Sequence, residues 1–190
     1  MAITKLDTGV VTFSNAKALL FTPYTDVDTI GATSYDLVSI VADTISLTPD
    51  DNTVNSKESE FSSTPLFENI TLGPQKFAAT CTDLQNTIMK EIMGWTLDSV
   101  SGSVFAPTQY VDLYVKIEIQ FKNTATPSVI IPKLKLNSKT IISSLKTGSG
   151  ECQMAGTAYE ENIKVGEVTI KSPCAMIPAD TTYLVGSEIV

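Results

Sequence analysis

From Tyr110 to Phe121 the chain alternates without a break. Val111, Leu113, Val115, Ile117, Ile119 and Phe121 fall on one side; Tyr110, Asp112, Tyr114, Lys116, Glu118 and Gln120 fall on the other. Successive side chains of an extended strand point to opposite faces, so a period of two predicts one buried face and one wet face. Such a strand fits an antiparallel sheet with a core behind it and water, or a water-filled space, in front. The run is also longer than the usual strand of about 5–6 residues.

Other segments read the same way. Val10–Phe13 and Lys17–Phe21 are strand-like around Ser14-Asn15-Ala16. Tyr35–Leu47 is a long strand candidate broken near Ala42-Asp43. Leu66–Leu72 and Lys76–Thr80 flank the turn pair Gly73-Pro74. Val129–Leu136 contains Pro132, which has no N–H to give a ladder and so predicts an edge or a bulge. Thr140–Lys146, Glu151–Tyr159 and Ile163–Lys171 follow, separated by Gly148-Ser149-Gly150 and Glu160-Glu161-Asn162. Many strands at short spacing with turn signals predict an all-β sandwich or barrel in a single domain spanning 1–190.

Two segments depart from this rhythm. Cys81, Leu84, Ile88, Ile92 and Trp95 recur at spacings of three and four, which predicts a helix over about Asp83–Met93. Its stripe Leu84, Ile88 and Ile92 should pack on the sheet. Thr82 and Gln85 have capping-box spacing, and Gly94 stands where a left-handed residue ends a helix. The other segment is polar: after Thr44–Thr48 and the turn Pro49-Asp50-Asp51-Asn52, almost every residue to Thr64 is hydrophilic. Long polar excursions in compact β domains are usually functional or disordered. Pro49–Thr64 therefore predicts an outward-reaching hairpin tip, poorly ordered or extended alone and ordered by a neighbour. Phe61, the one large apolar residue in its polar part, is the candidate anchor.

Composition excludes much chemistry. The chain has no histidine, so no Ser-His-Asp, Cys-His or H-E-x-x-H site can form. No P-loop or Rossmann glycine pattern occurs, and Asp50-Asp51-Asn52 lacks the spacing of a calcium loop. Cys81, Cys152 and Cys174 show no C-x-x-C pair, which predicts three reduced, buried thiols. No catalytic, cofactor or metal site is expected, and the chain is not expected to be an enzyme, although a carboxylate pair for glycoside hydrolysis remains an alternative. All 13 basic residues are lysine and net charge is −8, which argues against sequence-specific binding of nucleic acid. No apolar run is long enough for a membrane helix. The start, Met1–Asp7, has no signal-peptide pattern, which predicts synthesis in the cytoplasm.

The element order is strand, long polar hairpin, strand, lone helix, long alternating strand and closing strands. It resembles the major tail tube proteins of tailed bacteriophages and their relatives in contractile injection systems. Thr44–Leu47 with Ser56-Lys57-Glu58-Ser59 and Phe61-Ser62-Ser63 resembles the loop those proteins use between neighbours. Asp83–Trp95 sits where their single helix is expected. Leu134–Leu136, Ser143–Leu145 and Gln153–Thr157, with Gly156, resemble their last strands. The resemblance implies a virion structural protein assembled in the host cytoplasm. Its copies form stacked, hexameric rings, meet other tail proteins, and conduct DNA without binding it specifically. It assigns Lys57, Glu58 and Phe61 to the contact between subunits. The polar face of the long strand, with Asp112, Lys116 and Glu118, is then expected to line the lumen. Another β-rich assembly subunit, such as a capsid decoration, pilus-like or adhesin protein, is the alternative.

Overall fold

A computed structural model describes residues 16–37, 40–41, 44–59, 62–82, 85–109, 111–122, 126–137, 139–142, 150–178 and 181–189. The strands are β1 (Ala16–Pro23), β2 (Tyr35–Asp36), β3 (Ser46–Pro49), β4 (Thr53–Ser59), β5 (Ser62–Thr71) and β6 (Gln75–Cys81). After helix α1 (Asn86–Glu91) come β7 (Thr96–Leu97), β8 (Val104–Phe105), β9 (Tyr114–Phe121), β10 (Ser128–Leu136), β11 (Lys139–Ile142) and β12 (Gly150–Tyr159). The chain closes with β13 (Glu161–Val165), β14 (Val168–Ser172), β15 (Ala175–Ile177), β16 (Tyr183–Val185) and a 3-10 turn, Gly186–Glu188. The fold is all-β with one helix.

Among the described residues the main sheet has nine strands, in the order β2-β1-β9-β10-β12-β6-β3, with β11 beside β12 and β15 beside β10. Its two ends approach each other. The Leu37 N–H donates to Leu19 O in β1 at 2.9 Å, while the Val41 N–H donates to Thr80 O in β6 at 2.8 Å. One short segment thus ties both edges and curls the sheet around its apolar side. That side holds Leu19 and Phe21 of β1, Val115, Ile117 and Ile119 of β9, Ile131 and Leu134 of β10, Phe77 of β6 and Met154 of β12, all buried. Each such side chain contributes about 1.5–3 kcal/mol on burial.

The helix, together with its C-cap, closes this core with Ile88 and Ile92, both buried. It is shorter than the periodicity predicts, and Asp83 and Leu84 lie outside the described residues. No capping box forms at its start: the N-cap is Gln85, with no side-chain cap hydrogen bond. Six residues of helix are too few to stand alone in water, so packing rather than a cap holds the element. Gly94 has φ +70° and donates to Lys90 O at 3.1 Å, the left-handed stop expected there.

β9 carries the predicted alternation but starts at Tyr114 instead of Tyr110, which lies outside the described residues. Its neighbour explains the late start. β1 ends at Pro23, and the last bond between them runs from the Tyr24 N–H to Tyr114 O at 2.9 Å. Beyond it, Val111 is 45% exposed. Pro132 makes the expected irregularity, a register shift between Ile131 and Leu134. The run Ile163–Lys171 is not one strand. It folds at Gly166-Glu167 into the hairpin β13–β14, with Gly166 at φ +58°. β13 also pairs β16, forming a three-stranded sheet, β14-β13-β16. This small sheet covers part of the main sheet's polar side through a second core of Ile130, Ile163 and Ile177. Val10–Phe13 and 143–149 lie outside the described residues.

Candidate functional site

The polar excursion is a ribbon rather than a loop. β4 and β5 pair antiparallel from Thr53–Thr71 through Lys57–Phe67 and Glu58–Pro65 to Ser59–Ser62, with register shifts on both sides of Glu58. They form a two-stranded sheet of their own. The expected hairpin tip at 49–64 is thus paired strand over 53–59 and 62–64. Thr, Asn and Ser of β4 take strand form by pairing with β5. Lys57 and Glu58 are therefore placed on β4 near the distal end of the ribbon, while Phe61 lies outside the described residues.

The base of the ribbon is fixed to the domain. The Asp50 N–H donates to Pro74 O at 2.9 Å, and the Gly73 N–H donates to Asn52 Oδ1 at 3.1 Å. Lys76 lies 3.5 Å from Asp50. A Cβ at Gly73 would sit 2.2 Å from Asp50 O, so only glycine lets the two chains cross so closely.

The polar face of β9 is not an open surface within one chain. Lys116 Nζ meets Glu188 Oε1 at 2.9 Å, with the two side chains 13% and 32% exposed. The Tyr183 hydroxyl donates to Glu118 Oε2, and Gln120 Nε2 donates to Glu118 Oε1 at 2.7 Å. The other oxygen of Glu188 accepts the Val185 N–H at 2.8 Å. The C-terminal turn thus sits over Lys116 and β16 over Glu118, and the expectation of a solvated Glu118 is corrected. Asp112 precedes the strand, is exposed, and pairs with Lys135 at 2.8 Å. The three residues therefore do not form one uniform surface.

Next to this face lies a charged cluster that no sequence signal marked. Lys133, 9% exposed, reaches Asp28 at 3.1 Å and Glu161 at 3.8 Å. It also lies over the rings of Tyr24 and Tyr114 at 5.7 and 5.4 Å. Glu161, part of the separator Glu160-Glu161-Asn162 in the sequence reading, instead begins β13 and faces this lysine. Burial first, then the nearby carboxylates Glu161, Glu188 and Asp28, push the Tyr24 phenol far above its ordinary value. Burial and the hydrogen bond to Glu118 do the same to Tyr183. Alternation places Lys116, Glu118 and Lys133 off the core side, but their partners are far away in sequence.

A cavity of about 200 Å³, lined by Lys17, Glu118, Gln120, Thr126, Ser128 and Tyr183 among others, opens at the end of β1 and β9. It brings together an amine, a carboxylate and hydroxyls. Among the described residues, no three of Cys, Asp and Glu are placed to hold a metal ion. Cys81 and Cys152 are buried on paired strands and Cys174 is half-buried; none of the three is in a disulfide. No helix among the described residues is long and apolar enough to cross a membrane.

No protein-family model matches this chain, and no curated protein shows significant similarity to it.

Proposed function

We propose that the chain is a self-assembling structural subunit of the phage tail-tube kind, acting by contact with its own copies in the virion. The observation that carries this reading is the β4–β5 ribbon. A two-stranded hairpin is marginally stable in water by itself; this one pairs with no other strand among the described residues, yet its base is tied down by bonds at Asp50 and Asn52. A fixed base and an unsupported arm fit an element completed by another subunit. Rings that stack arm to body would conduct DNA, and a net charge of −8 without arginine suits a wall that phosphate slides past. No catalytic step and no cofactor are assigned. The covering of Lys116 by the C-terminal turn and of Glu118 by β16 favours a second reading, another β-rich assembly subunit with no channel on that face.

Removing Thr53–Thr71 and joining Asn52 to Leu72 through a short glycine linker tests the first reading. The paired ends Thr53 and Thr71 make this closure short. The expected variant folds and melts cooperatively but makes no rings or tubes by negative-stain microscopy, whereas the intact chain makes them at high concentration. Rings from the armless variant, or none from the intact chain, would overturn the proposal.

A further inference from the structure

The free edge of the small sheet has a sequence that matches itself in reverse. β14 is the outer strand of the order β14-β13-β16, so one side of its backbone has no strand beside it among the described residues. Its two-residue turn puts Val165 opposite Val168, and a hairpin of this length closes on a hydrogen-bonded pair. The backbone groups of Val168 and Ile170 therefore face β13, and those of Thr169 and Lys171 face outward. Val168 and Ile170 share the face of Ile163 and Val165, yet they are 59% and 60% exposed. The apolar face of the small sheet thus continues past the second core into solvent. Native sheets usually protect such an edge. β3, at an edge of the main sheet, ends in Pro49, but Val168–Ser172 contains no proline, and Pro173 comes only after it.

We propose that β14 docks a second copy of this chain, antiparallel to its own counterpart about a two-fold axis at Thr169. This register sets Glu167 against Lys171 of the second copy and Lys171 against its Glu167. It sets Val168 against Ile170 and Ile170 against Val168, on one face, with Thr169 on the axis. The outward backbone groups of Thr169 then meet their equivalents as a hydrogen-bonded pair. Charge complementarity selects the occupant, because the edge presents an acid and a base at equal distances from Thr169, and both are exposed. The contact joins two three-stranded sheets into one and buries the four apolar side chains together. An isologous contact uses up both edges, so growth stops at two copies. A strand of five residues makes a small interface, at the weak end of known contacts. The dimer is a contact of the free subunit and does not depend on the tube reading.

Sedimentation of the intact protein over a concentration series extending to millimolar tests it. A monomer–dimer equilibrium is expected. Glu167→Lys should weaken association about tenfold, since two like-charge pairs replace two opposite ones. Glu167→Lys combined with Lys171→Glu should restore it, and Ile170→Lys should leave a folded monomer. The variant lacking Thr53–Thr71 should dimerise as the intact chain does, which separates this contact from tube assembly. A monomer at every concentration, dimerisation unaffected by Ile170→Lys, or a double reversal as weak as the single change would each overturn the proposal.

Discussion

Lys133 shows what one residue contributes here. An amine this buried is tolerated because two carboxylates and two tyrosine rings surround it. The same neighbourhood raises the Tyr24 and Tyr183 phenols above their ordinary 10.0. The thiol of Cys81, by hydrogen bonding, and burial raise Cys152 above its ordinary 9.0. Each is an acid that holds its proton more tightly folded than unfolded. The stability this represents is complete below the ordinary value and is lost as pH rises beyond it. Urea unfolding at successive pH values should therefore show no pH dependence from these groups near neutral pH, with stability falling from about pH 9 and more steeply above about pH 10. Tyr183→Phe should make that fall shallower. An alkaline limb of equal slope in Tyr183→Phe would show that this phenol keeps an ordinary pKa.

Elements differ in how legible they were. Alternation marked β9 because a periodicity of two reflects a core on one side only, while β1, β10 and β12 read as strand-like runs between turn signals. Pro132 announced its bulge. The helix stripe placed Ile88 and Ile92 correctly, while the boundaries failed because tertiary packing, not a cap, sets them. Ile88→Asp should therefore cost several kcal/mol by placing a charge among apolar side chains with no partner; a stable, cooperatively melting variant would contradict the packing of α1. The β13–β14 hairpin was missed because Val165-Gly166-Glu167-Val168 sits inside a run that otherwise reads as one strand. The turn signal was the single glycine. In the ribbon, Leu66–Leu72 was read as strand, but β4 was missed because it has little hydrophobic content and its strand character depends on the partner.

At the scale of the whole molecule, net charge and assembly meet. If the tube reading holds, charge near Asp112 affects passage rather than folding. Asp112 is the exposed member of the three lumen candidates, and its ion pair with Lys135 is solvated, at 53% and 30% exposure, so losing it should cost well under about 1 kcal/mol. Asp112→Lys is therefore a cleaner probe than Glu118→Lys, which would also remove the acceptor of Tyr183. The expected outcome is normal folding and assembly, with tubes that retain DNA at low salt; release at the wild-type rate would remove this face from the channel.

Val115, Ile117 and Ile119 belonged to the core from their spacing alone, as Ile88 and Ile92 did, because burial on one side of an element imposes a period that local sequence records. The absence of histidine settled which reactions were impossible, since composition needs no geometry. What covers the polar side of β9 was decided only by the tertiary structure. Lys116 meets Glu188, and Glu118 meets Tyr183, across separations of 72 and 65 residues, and no local pattern encodes a contact between segments so far apart. The same holds for the ribbon and for the edge at β14. Whether a strand is paired, free or awaiting another copy depends on what the fold brings alongside it.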